Sequence, residues 1–429
     1  MRSLIWFRND LRITDNKTLL TAIEASSEVV PVFVLDPAWW AKDRWGQVKT
    51  GPFRTRFLLE ALADLQANLA RLGGALRICM GTPAEVLKSL AEEHGCTAVF
   101  ATAEHTREEL DREAEVAQVL DLRLHEQLTM YRPDDLPFSL AQLPDVFTQF
   151  RRKVEQRAKV REPLPAPEEV KVPVGLLSSD VPTARDLGVE SKVGDPRGVL
   201  AFPGGATAAA ARLDHYIWTT KKLRVYKATR NGLLGADYSS KFSPWLAMGC
   251  ISPREVHAQV RAFEAEIEKN DDTYWLIFEL IWRDYFRFVA MRYGDRIFYR
   301  QGIKDVAPKK RTDQRAFASW CEGRTKCDFV NANMRELAST GFMSNRGRQN
   351  VASYLVHDLG LDWRMGASWF AHHLLDYDPA SNYGNWIYVA GVGNDPRPNR
   401  KFHTAGQADR YDSDGAFRRH WRSDSQPVN

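Results

Sequence analysis

Cysteine is scarce and scattered in this chain. The five cysteines, Cys79, Cys96, Cys250, Cys321 and Cys327, are odd in number and unclustered, which argues against a disulfide framework and leaves nothing to hold an iron–sulfur centre. No metal is expected. Long apolar runs are also missing, so no segment is suited to cross a bilayer as a helix and no membrane partner is expected. The opening Met1-Arg2-Ser3-Leu4-Ile5-Trp6-Phe7 enters a strand-like run at once, without the basic, apolar and small-residue succession of a secretion signal. These absences point to a soluble, cytoplasmic, reducing setting. Excess charge of one sign is lacking as well: a net charge of +4 permits nucleic-acid contact but leaves it to a local patch. There is no internal repeat and no low-complexity tract.

What is present divides the chain. A length of 429 residues implies two or three compact units, and two are expected. The first third alternates short apolar runs with amphipathic stretches, the pattern of a doubly wound, Rossmann-like α/β domain with a parallel sheet. Its predicted strands are Ser3 to Phe7, Val29 to Leu35, Ala75 to Cys79, Ala98 to Ala101 and Asp121 to His125. Between them, Leu58, Leu62, Leu65, Leu69 and Leu72 fall at helical spacing, and Thr82-Pro83 reads as a cap followed by a first-turn proline. Prolines then interrupt residues 131–205 repeatedly, predicting a linker draped over the surface with one short basic helix from Thr148 to Lys159. From Ala206 onward the pattern is helical almost throughout. The expected division is 1–130, 131–205 and 206–429. The 13 tryptophans are numerous, and core packing, base stacking and electron transfer all use that residue.

Five motifs stand in order along the chain. They are Trp6-Phe7-Arg8-Asn9-Asp10-Leu11-Arg12; Tyr238-Ser239-Ser240-Lys241-Phe242-Ser243-Pro244-Trp245; Glu279-Leu280-Ile281-Trp282-Arg283-Asp284-Tyr285; Thr340-Gly341-Phe342-Met343-Ser344-Asn345-Arg346-Gly347-Arg348; and Asp376-Tyr377-Asp378-Pro379-Ala380-Ser381-Asn382. Together they resemble the cryptochrome and photolyase superfamily. Tyr226-Lys227-Ala228-Thr229-Arg230-Asn231-Gly232 and Gly391-Val392-Gly393-Asn394-Asp395-Pro396-Arg397 are similar to its DASH cryptochrome branch.

The resemblance implies an all-α domain binding FAD after the sheet domain. Tyr226, Ser239, Ser240, Lys241, Phe242 and Ser243 would meet the phosphates, and Phe342, Asn345, Arg348, Asp376, Asp378 and Asn382 the ring. Read alone, the serines would more often cap a helix, and Arg348 with Asp376 would be a structural ion pair. Asn345 and Arg348 are three apart on one helix and can share a pocket; an amide does not give up a proton at neutral pH. Glu279 would be the substrate-side acid, and both Glu279 and Arg283 would also line the cofactor; read alone, the two at helical spacing would be an ion pair on one helix. Trp282 and Tyr388 would flank a flipped pyrimidine dimer, an event made easier in single-stranded DNA. Arg230, Arg346 and Arg400 would hold flanking phosphates.

The same resemblance implies an electron relay through Trp386 and Trp363. Its outer member falls near Lys310, so Trp320 or a tyrosine would have to substitute. An antenna, in this branch a reduced folate such as methenyltetrahydrofolate, would meet Glu108 and Glu109, although taken alone those two are better explained as an acidic helix start. The implied activity is blue-light repair of cyclobutane pyrimidine dimers, as a photolyase and carbon–carbon lyase acting as a monomer. A blue-light photoreceptor with an unknown signalling partner is the alternative, disfavoured by the short C-terminus; a light-independent flavoprotein is a third. One departure stands out: in Gly323-Arg324-Thr325-Lys326-Cys327-Asp328-Phe329-Val330-Asn331, Asn331 replaces the usual aspartate and the usual proline is absent. The asparagine is expected to cap a helix.

Overall fold

Residues 1–306, 308, 311–397 and 401–422 are described by a computed structural model. The strands β1 (Arg2–Phe7), β2 (Glu28–Leu35), β3 (Arg77–Met80), β4 (Cys96–Thr102) and β5 (Leu122–His125) form one parallel sheet in the order β3-β2-β1-β4-β5. The connections are helices α1 (Lys17–Ala25), α2 (Pro52–Ala70), α3 (Pro83–His94) and α4 (Arg107–Ala117). Successive side chains of a strand point to opposite faces, and the sequence uses both. Ile5 and Phe7 pack with Phe33, Leu35 and Phe100 under α2, whereas Leu4 and Trp6 join Val30, Val32 and Val34 under α3 and α4. The sheet is therefore doubly wound. On α2 the spaced leucines 58, 62, 65 and 69 are buried, while Leu72 lies just beyond the helix end. Thr82 does precede Pro83 at the start of α3, but its hydroxyl makes no capping bond.

The linker departs from expectation. Its helix α5 (Phe147–Arg157) buries Phe147, Phe150 and Val154 in the core shared with the helical half, so this part is a packed element and not a surface drape. Aromatic burial outweighs the proline breaks around it. Where the chain leaves the sheet, the backbone N–H groups of Met130 and Tyr131 donate to the Asp284 carboxylate at 3.0 and 2.8 Å. Burial raises that carboxyl to about 6, against these bonds.

The helical half contains α6 (Ala206–Asp214), α7 (Tyr226–Thr229), α8 (Ser243–Ala247), α9 (Pro253–Glu266), α10 (Asp271–Tyr293), α11 (Gln314–Cys321), α12 (Asp328–Thr340), α13 (Asn345–Ser353), α14 (Trp363–His373), α15 (Pro379–Val389), α16 (Thr404–Tyr411) and α17 (Ala416–His420). Central α10 begins with a capping box at Asn270 and Thr273. Helix α2 joins the halves: Arg54 donates to the Ala371 carbonyl at 2.6 Å, and Gly51 N–H to that of His372 at 3.0 Å. No helix among the described residues is long and apolar enough to cross a membrane.

Candidate functional site

A cavity of about 630 Å³ opens between α7, α8, α10, α13 and α15. Tyr226, Arg230, Ser239, Ser240, Lys241, Phe242, Ser243, Glu279, Trp282, Arg283, Phe342, Asn345, Arg346, Arg348, Asp376, Asp378 and Tyr388 all line it. An adjoining cavity of about 100 Å³ shares Asn345, Arg348, Asp376 and Asp378 and adds Asn382 and Trp386. Residues from four of the five ordered motifs, together with Tyr226 and Arg230, thus meet around one space, while Trp6 to Asn9 of the first motif line a different cavity.

At one end the serine-rich loop turns through Lys241, whose φ of 57° is left-handed and rare outside glycine. Arg212 on α6 maintains that turn. Its guanidinium donates to the carbonyls of Ala236, Ser239 and Ser240 at 3.0, 3.1 and 3.0 Å and to the Asp237 carboxylate at 2.7 Å. With carbonyls drawn toward arginine, the loop is organised as a concavity of amides and hydroxyls, a donor set suited to a pyrophosphate. Sequence reading missed Arg212 because no motif contains it.

Another part of the lining is polar and charged. Arg348 donates to Asp376 at 2.8 Å and to the Met343 carbonyl at 2.9 Å. Asp378 does not join that pair; it caps α15 through Ser381 N–H at 3.0 Å and forms an ion pair with Arg287. Arg287 is one turn beyond Arg283 on α10 and was likewise missed. Asn382 donates to the Ala367 carbonyl at 3.1 Å, and Asn345 opens α13 behind its cap Ser344. A lining that combines the serine-rich loop, amide and carboxylate groups and aromatic side chains fits a dinucleotide such as FAD.

At the mouth, Glu279 pairs with Arg230 at 2.6 Å and not with its helical neighbour Arg283. Arg283 instead donates to the carbonyls of Leu128 and Leu246 at 2.5 and 3.1 Å, so backbone acceptors displace the i, i+4 partner. Burial raises the Glu279 carboxyl while Arg230 opposes it. Trp282 meets Tyr388 at a right-angle corner with centroids 5.8 Å apart, and its other face stacks on Phe147 at 3.6 Å. Arg346 is held by the side chains of Asn231 and Gln349, each at 2.9 Å. Arg400 lies outside the described residues.

Trp386 packs on Gly366, where a Cβ would collide with its ring, one turn from Trp363 on α14. Trp363 meets Tyr383 with centroids 6.1 Å apart. Trp320 is fully buried and lies 6.5 Å from Trp386, beside the inner tryptophan and away from the surface. Lys310, the position expected for the outer member, is outside the described residues. Asn331 does not cap α12, whose N-cap is Cys327. Its amide instead closes the preceding turn, accepting from Thr325 N and Oγ1 at 2.7 Å each and donating to Thr325 O at 2.9 Å.

A second cavity, of about 470 Å³, lies between the halves. It sits at the carboxyl ends of β1 and β4, where the strand order reverses, the usual ligand position in such sheets. Glu108 and Glu109 both line it. Glu108 pairs with Lys49 at 2.6 Å. Glu109 accepts from Thr106 Oγ1 at 2.5 Å and is raised to about 7 by burial and by Glu104.

Residues 3–168 match the family model described as DNA photolyase, and residues 275–428 that of the FAD binding domain of DNA photolyase. Cryptochrome DASH of Gloeobacter violaceus is 49% identical over 423 residues, 97% of this chain and 85% of that protein. The solved cryptochrome of Synechocystis is 43% identical with a TM-score of 0.95, covering 98% of this chain and 88% of its own. An archaeal photolyase from Sulfolobus tokodaii, solved with two FAD molecules, is 26% identical with a TM-score of 0.81, covering 100% and 91%. The relatives from Arabidopsis thaliana, rice and tomato are named as chloroplastic/mitochondrial. With matches to both halves and across kingdoms, the chain belongs to the cryptochrome and photolyase superfamily, in its cryptochrome DASH branch, and carries that family's FAD-binding domain.

Proposed function

We propose that this flavoprotein repairs cyclobutane pyrimidine dimers in single-stranded DNA under blue light. The observation that carries the reading is the aromatic corner of Trp282 and Tyr388 beside Glu279, at the mouth of the same cavity that holds Asn345 and the Arg348–Asp376 pair. Bound with its pyrophosphate at the Ser239 to Ser243 loop, reduced FAD supplies a light-driven electron. Trp282 and Tyr388 stack the flipped dimer and exclude water around it. The Glu279 carboxyl, raised by burial, hydrogen-bonds the pyrimidine carbonyl that gains charge. Arg230 exchanges Glu279 for a flanking phosphate, and Arg346 faces the same opening. Asn345 would lie against the ring and, because an amide does not give up a proton at neutral pH, would not protonate it. The two carbon–carbon bonds of the dimer break after one electron arrives, and that electron returns, so no net oxidant is needed.

The three-part division at 130 and 205 serves this reading, with the interdomain cavity as the antenna site. A reduced folate there would place its ring against Glu109 and its acidic tail near Lys49. The Sulfolobus photolyase with two FAD molecules makes a flavin the other candidate; the fluorescence of the extracted chromophore distinguishes them. The relay would start at Trp386 and pass to Trp363, with Tyr383 as the tyrosine next in line. The five free cysteines suit a reducing, intracellular and cytoplasmic setting, where the protein is proposed to act as a monomer.

The test uses one thymine dimer in a single-stranded oligonucleotide with protein reduced beforehand, in blue light and in darkness. Light-dependent loss of dimer, reduced at least about tenfold by Glu279→Ala, is expected. Absence of repair by protein holding reduced FAD would leave the photoreceptor reading.

A further inference from the structure

Behind the lining of the phosphate loop lie polar groups with no bonding partner. Lys241 Nζ sits 3.2 Å from the centroid of the Tyr238 ring and makes no hydrogen bond. Both carboxyl oxygens of Glu336, on α12, are also unpartnered, as is the Tyr238 hydroxyl. Glu336 is fully buried and Lys241 only 4% exposed. The charged and titratable groups facing this pair are Arg212 from α6, Asp237 and Tyr238 from the loop, and Arg348 from α13. Arg212 is fully engaged with the loop carbonyls and Asp237, and Arg348 with Asp376, so neither compensates Glu336 by a direct bond.

We propose that Lys241 and Glu336 form a buried proton-binding site within the phosphate loop, and that entry of a dinucleotide pyrophosphate is accompanied by proton uptake there. Burial disfavours charge on both groups: the Lys241 ammonium is lowered to about 6, by burial and then Arg212, and the Glu336 carboxyl is raised to about 8 by burial. Near neutrality the pair is therefore uncharged overall. A pyrophosphate brings negative charge to the loop and favours the form with one more proton, which comes from solvent. The ammonium then faces the phosphates, and Glu336 is a positioning residue that acts through Lys241. Both statements rest on FAD occupying this cavity.

The experiment is calorimetric titration of flavin-free full-length protein with FAD, in two buffers of different ionisation enthalpy, at about pH 7.5 and about pH 8.5. Wild-type protein is expected to take up about one proton per FAD at the lower pH. Lys241→Met should abolish the uptake. Glu336→Gln, nearly the same shape, should still bind FAD but take up fewer protons than wild type at the higher pH, because one of two titrating groups is gone. FAD binding by wild-type protein without proton uptake overturns the proposal and leaves the flavin reading intact. So does equal uptake by wild type and Glu336→Gln at the higher pH, a comparison that stands even if Lys241→Met does not fold. Failure of wild-type protein to bind FAD overturns both.

Discussion

The two cavities hold their charges differently. Around the helical cavity three arginines bond backbone carbonyls: Arg212 those of the serine-rich loop, Arg283 those of Leu128 and Leu246, Arg348 that of Met343. The cations fix main chain, and the geometry of the main chain makes the site. In the interdomain cavity, Glu104, Glu108 and Glu109 gather at strand ends and a helix start, and one of them is raised to about 7. The backbone around the first cavity is held by arginines, and its titrating pair sits at the loop; in the second, a carboxyl raised to about 7 lines the space itself.

The largest effect should follow from breaking the preorganised side. Arg212→Ala removes every bond that ties the loop carbonyls to α6, and the protein should be purified without flavin absorbance and with stability lowered by about 3–5 kcal/mol. A variant that retains flavin would show that the loop holds its turn unaided. Next comes the partition between the two spaces. Arg287 faces the interdomain cavity yet pairs with Asp378, which lines both. Arg287→Met should lower stability by about 2–4 kcal/mol in denaturant unfolding and weaken ligand retention on both sides. Loss on one side alone would make the cavities independent.

The smallest effect should be the titration of Glu109. Its folded pKa, about 7, lies above the value of an unfolded glutamate, so the folded state binds the proton more tightly. That contribution is complete below the unfolded pKa and is lost as pH rises through about 7. Melting temperatures of wild type and Glu109→Gln should therefore diverge between mildly acidic and mildly alkaline solution, with wild type losing ground as pH rises.

Much of this was legible in the sequence because it is local. The apolar run Leu4, Ile5, Trp6 and Phe7 marked a strand, and leucine spacing marked α2, which ends two residues before Leu72. Which residues gather around the helical cavity was legible through the motifs, as was the Arg348–Asp376 contact. Illegible were the contacts settled only by the tertiary fold. Helical spacing offered Arg283 to Glu279, yet carbonyls at Leu128 and Leu246 took Arg283 and Arg230 arrived from a separate helix. Phe147 looked like part of a proline-broken linker, and nothing local announces that it stacks on Trp282. Asn331 resembled a cap because its type suits one, but the register of α12 starts it one turn earlier.

Helix α2 has a consequence for taking the protein apart. Its apolar stripe belongs to one uninterrupted cluster that runs from Ile5 and Phe33 through Leu58 and Leu62 to Trp245, Phe342 and Leu374. Unfolding should accordingly be a single cooperative transition in calorimetry, with no plateau for either half. A fragment ending near residue 130 would carry the raw underside of α2 into water, and it should be recovered as aggregate unless the helical remainder is co-expressed to cover it.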